Sequence, residues 1–396
     1  SGRDEPALES FASLSSRGAT FLRHRAPTTL DVANMATLLT GLSPESHGLL
    51  DTASRLPASV ATLMEAARES QVRTSFITAV PTSFAPFGLS QGAAETVEHS
   101  PVSGDDAAAP LRAATSWLVR ALAEPDQRAV VVAHVRGGHP PWTPTPKQLE
   151  ALPPRDYSGN LQPRRAAQQI AEIRARRNPE VSESDRVRMR ALHALALAQH
   201  DIALGESLTT LETAQLLDQT LIVVTADAAT SVEQLFAPDL PLAERSLALP
   251  LWIVFPGGKL AGQRVALPTK MSDVAQTLHA ALGLAPPPAL RGEDLFALAS
   301  GRSAAGERIQ VATMGNLVSA RWGDLVITGA LGKAPSLCDL QLDPTCAFDR
   351  RATSPLAVTA LFRATLDELA QRGTRPPHEA LILDDTTRSA LTVWGR

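Results

Sequence analysis

No apolar run in this 396-residue chain approaches the ~18 residues that a membrane-crossing helix needs, and no leader of the secretory type opens it. Its beginning, Ser1-Gly2-Arg3, reads as that of a mature or trimmed form. Lysine is scarce: Lys147, Lys259, Lys270 and Lys333 are the four, so basic charge is mostly arginine. The formal net charge of -4 argues against a general nucleic-acid binder. A phosphate-cradling glycine loop, a Ser-His-Asp elbow and a zinc-type cysteine pair are also missing. Gly137-Gly138 and Gly257-Gly258 are loop glycines at strand ends and too unspecific to stand for one. The two cysteines, Cys338 and Cys346, flank a turn-like Asp343-Pro344. A disulfide closing that short loop would suit an oxidising compartment; two unpaired thiols are the alternative.

What is present is a long alternation of helical and strand patterns, which implies a mostly parallel sheet covered on both faces. With 44% hydrophobic residues the chain can bury one large core and a smaller appended one. Helices are expected over 8–17, ending at Gly18; over 31–40, with Asp31 as N-cap and Gly41 as stop; and over 59–70, with Ser59 as cap. Further helices are expected over 110–123, 190–212 and 272–282. Strands are expected over 73–80, 129–135, 220–225 and 249–255, those at 129–135 and 220–225 fully buried. From about residue 300 the pattern becomes short strands at hairpin spacing, 310–314, 317–321 and 325–328, then a helix over 355–371. The division is therefore an α/β domain over 1–300 and a small antiparallel sheet plus helix over 301–396. Residues 140–190 break the rhythm with a proline-rich start (Pro140, Pro141, Pro144, Pro146, Pro153, Pro154) and then Arg164, Arg165, Arg174, Arg176, Arg177, Arg186, Arg188 and Arg190. This insertion is either a solvated helical face paired with Glu172, Glu180 and Glu183 or a docking surface for an acidic partner.

The stretch from Asp31 to Gly48 resembles the signature of the sulfatase family, a nucleophile followed by P-S-R or P-S-H, then L-L-T-G, then P-x-x-H-G. The scaffold half stands as Leu38-Leu39-Thr40-Gly41, Pro44, His47 and Gly48. Other segments are similar to the family in the same order: Gly18 to Thr28, Phe87-Gly88-Leu89, His134 through Trp142, Asp201 and Gly205, Leu217 through Asp227, Pro250-Leu251 with Pro256-Gly257, and Leu337 through Pro344. The resemblance implies an alkaline-phosphatase-like fold. It also implies a divalent cation, calcium or magnesium, held by carboxylates and an amide or imidazole, together with a formylglycine nucleophile, cationic donors around the ester and an acid for the leaving group.

Slot by slot, this chain departs from that pattern. The nucleophile slot holds Asp31, and Ala33, Asn34 and Met35 replace Pro-Ser-Arg. Asp31 reads as an N-cap rather than a nucleophile, and Met35 as packing in a helix interface. The surviving metal position is Asp227, but the neighbouring ligand slot is Ala228, which has no donor atom; a strand-end carboxylate capping a turn is the plainer reading of Asp227. His139 matches the family's ester-contacting histidine, or is a loop histidine held by prolines. His47 and His134 read as hydrogen-bonded framework. Among residues 228–256 only Arg245 is basic, where the family usually supplies His or Lys, and none of the four lysines falls on the family's active-site motifs.

The expectation is a sulfatase-like pseudoenzyme, a scaffold for binding or assembly with no cofactor. The alternative is a metal-dependent sulfuric or phosphoric ester hydrolase whose remaining carboxylates lie on an N-terminal strand outside this sequence. A phosphoglycerol- or phosphoethanolamine-transferase reading would need a Thr where Asp31 stands. The resemblance places the N-terminal strand inside the main sheet, so its slot is expected to be filled by an upstream segment or by another protein. An extracytoplasmic location, with an upstream membrane tether possible, completes the expectation.

Overall fold

The computed structural model describes residues 8–104, 106–176, 181–229, 232, 234, 241–303 and 306–396. Arg177 and Glu180 of the expected arginine-rich face lie outside them. Among the described residues no helix is long and apolar enough to cross a membrane.

The chain opens with α1 (Glu9–Arg17), whose N-cap, Leu8, has no side chain able to accept. Asp201 does this work from far along the sequence: its two carboxylate oxygens accept the free N–H groups of Ser10 and Phe11 at 3.1 and 2.8 Å. β1 (Ala19–Arg25) follows, then α2 (Asp31–Thr40) and α3 (Pro44–His47). β1 was not expected from the sequence, because Arg23, His24 and Arg25 interrupt its apolar pattern. The structure buries His24 and Arg25 and supplies them with partners. α2 keeps the expected bounds, and Gly41 takes the left-handed conformation (φ 70°) that ends it. Its N-cap is Leu30, however, and Asp31 is the first helical residue, its carboxylate folded onto its neighbour's N–H, Val32 N, at 2.9 Å. Val32, Met35, Ala36 and Leu39 point into a core with Leu49, Leu56, Phe76 and Phe87. Met35 packs there as expected, and truncating such a side chain costs about 2–5 kcal/mol.

α4 (Leu63–Glu69) starts later than the sequence pattern indicated. Thr62 and Glu65 form a reciprocal capping box, Thr62 Oγ1 accepting from Glu65 N and Glu65 Oε2 from Thr62 N, and this displaces Ser59 as the cap. β2 (Arg73–Thr78), β3 (Glu95–Glu98), α5 (Ala109–Ala121) and β4 (Ala129–His134) follow. The insertion carries α6 (Pro146–Ala151), α7 (Ala166–Arg174) and the first part of α8 (Glu183–Thr213). It is not simply a solvated face. Trp142, Ala166, Ile170, Met189 and Leu192 form a core of its own, and the buried Arg188 donates to the carbonyls of Leu152 and Leu149 while lying over the Tyr157 ring. The guanidinium there satisfies orphan helix-end carbonyls.

β5 (Ile222–Thr225), α9 (Glu244–Leu247), β6 (Ala248–Leu249), β7 (Leu251–Val254), β8 (Arg264–Lys270), α10 (Met271–Ala281) and α11 (Leu295–Ala299) complete the first region. β9 (Gln310–Met314), β10 (Leu317–Trp322), β11 (Leu325–Ala330) and β12 (Ser336–Asp339) form an antiparallel meander backed by α12 (Pro355–Ala370). The last helix, α13 (Asp385–Trp394), returns to the first region. Cys338 and Cys346 are joined by a disulfide, which settles the alternative left open by the sequence.

Outside the meander the strands fall into two sheets. β3-β2-β4 is wholly parallel, whereas β5-β7-β1-β6 is antiparallel throughout and gains one parallel pair, β1 with β8. β4 and β5 are each an edge strand of their sheet, and among the described residues no ladder joins them. The sequence pattern had both strands fully buried. They are instead only half-buried, from Ala129 to Ala133 and from Ile222 to Thr225, although apolar apart from Thr225. They still share one apolar cluster, in which Ala129, Val131, Ala133 and Ile222 all pack around Ile77, Trp117 and Leu118.

Candidate functional site

Three chain segments converge where these two edges end. β4 finishes at His134, β5 is followed within two residues by Asp227, and the first turn of α2 brings Asp31 and Asn34. His134 Nε2 lies 3.1 Å from Asp227 Oδ2, and Ser83 Oγ lies 2.6 Å from His134 Nδ1. With the Nε2 proton donated to the carboxylate, Nδ1 accepts from the serine hydroxyl, so the three groups form one satisfied chain. Burial works against the charge on Asp227, but the hydrogen bond from His134 outweighs it and holds its carboxyl below the usual range. Ser83–His134–Asp227 has the hydrogen-bond order of a nucleophilic triad. Ser83 is fully buried, however, so no ester can reach its oxygen, and the chain is a brace across the two strand ends. Asp227 therefore serves as the acceptor for His134 rather than as a turn cap.

Asn34 is fully buried, and its amide nitrogen donates to the carbonyls of Thr28 and Asp227 at 2.9 and 2.7 Å. It ties α2 to the loop after β5, a structural use of a slot that the resemblance assigns to a polar active-site residue. His47 is buried beneath α2, its Nε2 3.2 Å from Thr37 Oγ1, and serves as framework in the way its sequence context indicated. Arg245 is placed on the short helix α9.

The segment after α13 closes the site. Arg396 Nη2 donates to both oxygens of Asp31, at 3.2 and 3.0 Å, and Thr82 Oγ1 lies 3.5 Å from Asp31 Oδ2. The Trp394 indole is stacked on the His139 ring, with centroids 3.9 Å apart and planes inclined by 12°. His139 Nδ1 is bonded to the Pro140 carbonyl, and desolvation lowers its pKa to about 4, so the ring is neutral near pH 7. His139 is thus both a loop histidine held by its prolines and one wall of the site. Trp394, Arg396, Thr82 and Ser83 were not singled out from the sequence. The pairing of Asp31 with a residue at the far end of the chain leaves no local signal, and Thr82-Ser83 lies in a short turn without a motif.

Among the described residues no group of three or more His, Cys, Asp or Glu side chains is arranged to hold a metal ion. Asp31 is engaged by a guanidinium, Asp227 by an imidazole, and Ala228 offers no donor. A hard cation wants several free oxygen ligands, so the described residues do not fit the calcium or magnesium that the resemblance implies.

Comparison with known proteins gives a consistent result. The sulfatase family model matches residues 2–284. The structure is similar to the phosphonate monoester hydrolase of Agrobacterium radiobacter, at 21% identity with a TM-score of 0.70, over 93% of this chain and 91% of that one. It is similar to the phosphonate monoester hydrolase SpPMH from Silicibacter pomeroyi, at 17% identity and a TM-score of 0.69, over 94% and 92% of the two chains. A protein in the alkaline phosphatase superfamily from Vibrio parahaemolyticus matches at 15% identity and a TM-score of 0.60, over 93% and 82%. No curated protein matches the chain. At these identities the likeness to solved structures establishes the fold, an α/β fold of the sulfatase and alkaline phosphatase type. The family model covers well over half the sequence, and the chain belongs to the sulfatase family.

Proposed function

We propose that this chain is a binding or assembly scaffold on a sulfatase fold, without formylglycine-dependent hydrolysis. The observation that carries the reading is the state of the nucleophile position. Asp31 stands there, both of its oxygens are taken by Arg396, and Trp394 lies over the histidine beside it. A carboxylate neutralised by a guanidinium is a poor nucleophile. The test is turnover of aryl sulfates, aryl phosphates and phosphonate monoesters by the purified chain with added calcium, magnesium or manganese. No turnover above a boiled control is expected. Turnover that disappears in Asp31→Ala makes Asp31 a nucleophile and ends this reading.

One observation favours a second reading. β4 and β5 are half-buried, apolar edge strands of their two sheets that share one cluster and no ladder, so each has an edge to which an extended strand can add. A strand supplied by an upstream segment or by another protein would complete the sheet, and if it ended in carboxylates it would deliver them beside Asp227. Calcium or magnesium retained stoichiometrically by a strand-completed protein, and lost in Asp227→Ala, would support the hydrolase alternative. Further partners remain part of the proposal. An acidic protein is suited to the exposed Arg155, Arg164, Arg165 and Arg176 of the insertion. The disulfide fits an extracytoplasmic setting.

A further inference from the structure

The pocket around Asp31 already holds a ligand-like group, the chain's own Trp394-Gly395-Arg396. Resting on the scaffold reading above, we infer that the site has been converted from anion binding to guanidinium recognition, with this segment as its tethered occupant and an arginine-bearing peptide as the partner that competes for it.

Three independent features carry the inference. The first is charge. The groups that meet at the pocket are the carboxylates of Asp31 and Asp227 and the rings of His134 and His139, a set that receives a cation. Arg174 is near enough to feel Arg396: burial first, and then the Arg396 charge, hold its guanidinium below its ordinary pKa. The second is the indole stack, which seats the segment by shape as well as charge. Trp394 is only 5% exposed, and it lies on a neutral imidazole, so no like charge opposes the guanidinium next to it. The third is the bend between the two. Gly395 sits at φ 83°, and a Cβ there would lie 2.6 Å from the Ala167 carbonyl oxygen, so only glycine can turn the chain from the helix towards Asp31. α13 itself is anchored independently, by Leu391 in the core of α2 and by Gln168 Nε2 donating to the Thr392 carbonyl. The Asp31 side chain is 15% exposed and that of Arg396 is 36% exposed, so solvent reaches the pair and an external guanidinium can exchange with it.

The experiment is chemical rescue. Arg396→Ala leaves α13 and Trp394 in place and vacates the guanidinium position. Methylguanidinium is titrated into this variant and followed by thermal midpoint and by Trp fluorescence, with methylammonium and sulfate as comparison ions at equal ionic strength. Expected is a lowered midpoint that methylguanidinium restores saturably at millimolar concentration, at least tenfold more effectively than methylammonium, with no restoration by sulfate. In Asp31→Asn/Arg396→Ala the rescue should be lost. A capped Gly-Arg-Gly peptide should bind Arg396→Ala at least tenfold more tightly than the intact chain. Rescue by sulfate, absence of rescue by methylguanidinium, or equal rescue in the double variant would overturn the inference. Hydrolysis by the intact chain is a separate readout: turnover together with normal rescue would end the scaffold reading and leave guanidinium recognition standing.

Discussion

Glu244→Gln should be among the most damaging single-atom-scale changes in this protein. Glu244 lies at the start of α9 with its side chain 10% exposed, between Arg25 of β1 and Arg321 of β10. Its Oε2 is 3.0 Å from the Arg25 guanidinium and its Oε1 is 2.7 Å from that of Arg321. Arg25 is itself buried, and donates in addition to the Gln310 carbonyl and the Ser319 hydroxyl. The triad therefore clamps the main region to the C-terminal meander. An amide in place of the carboxylate leaves the buried Arg25 guanidinium with no countercharge and Arg321 with only the half-exposed Asp324, 3.6 Å away. Breaking a buried pair in this way costs about 3–5 kcal/mol. A chain of this length has an unfolding entropy of about 0.8 kcal/mol/K, so the thermal midpoint should fall by about 4–6 °C. The control is Arg388→Ala, which removes the exposed pair with Asp385 and should move the midpoint by less than about 1 °C. Differential scanning calorimetry at pH 7 reads both. Burial alone would raise the Glu244 pKa, but the Arg25 and Arg321 charges outweigh it and hold it below the ordinary value. The stability it contributes is therefore present above the unfolded carboxyl pKa and is lost as pH falls through the folded one. The wild-type advantage over Glu244→Gln should shrink accordingly in acid. A midpoint within 1 °C of wild type at pH 7 would refute the argument.

Three further outcomes are expected. Desolvation lowers the pKa of His24 and of His47 from 6.5 to about 4, so the unfolded chain takes up protons first. Stability should be full above about pH 6.5 and fall towards pH 4, by up to about 3 kcal/mol per histidine, and the pH dependence of urea midpoints should flatten in His47→Gln. Asp201→Ala should cost about 1–2 kcal/mol and raise hydrogen exchange at Ser10 and Phe11, while Asp201→Asn should recover part of the loss. Cys338→Ser/Cys346→Ser opens a loop of sequence separation 8 and should cost about 2.5 kcal/mol, seen as a lower midpoint that dithiothreitol no longer shifts.

The parts legible in the sequence were those whose causes are local. α2 ends where Gly41 supplies the left-handed residue, and β9, β10 and β11 follow from short apolar alternation between turn residues. Met35 could be assigned to packing because Val32, Ala36 and Leu39 share its helix with it at apolar spacing. What escaped depended on distant partners. β1 reads as a polar segment until Glu244, Gln310 and Thr269 are brought against it. α1 has no cap of its own because Asp201 provides one. At the candidate site the departures from the family pattern were visible at Asp31 and Ala228, but the arginine paired with Asp31 was not. Arg396 lies 365 positions from Asp31, and an arginine at that distance is one of many until the fold selects it.

The pairing pattern of the two sheets also sets the order in which this protein can be built on a ribosome. β2, β3 and β4 are sequential neighbours, so their parallel sheet can assemble once residue 134 has emerged and α5 is available to cover it. β1 precedes them, yet its partners lie at residues 248–270, so it must wait until that distant segment has been made before any hydrogen bond of its ladder can form. For that interval Phe21 lacks its native cover, Leu251, Ile253 and Val265, while the apolar face of α2 can already pack on Leu49, Leu56, Phe76 and Phe87. The unpaired backbone of β1 is over the same interval open to pairing with another chain, the hazard of any exposed strand.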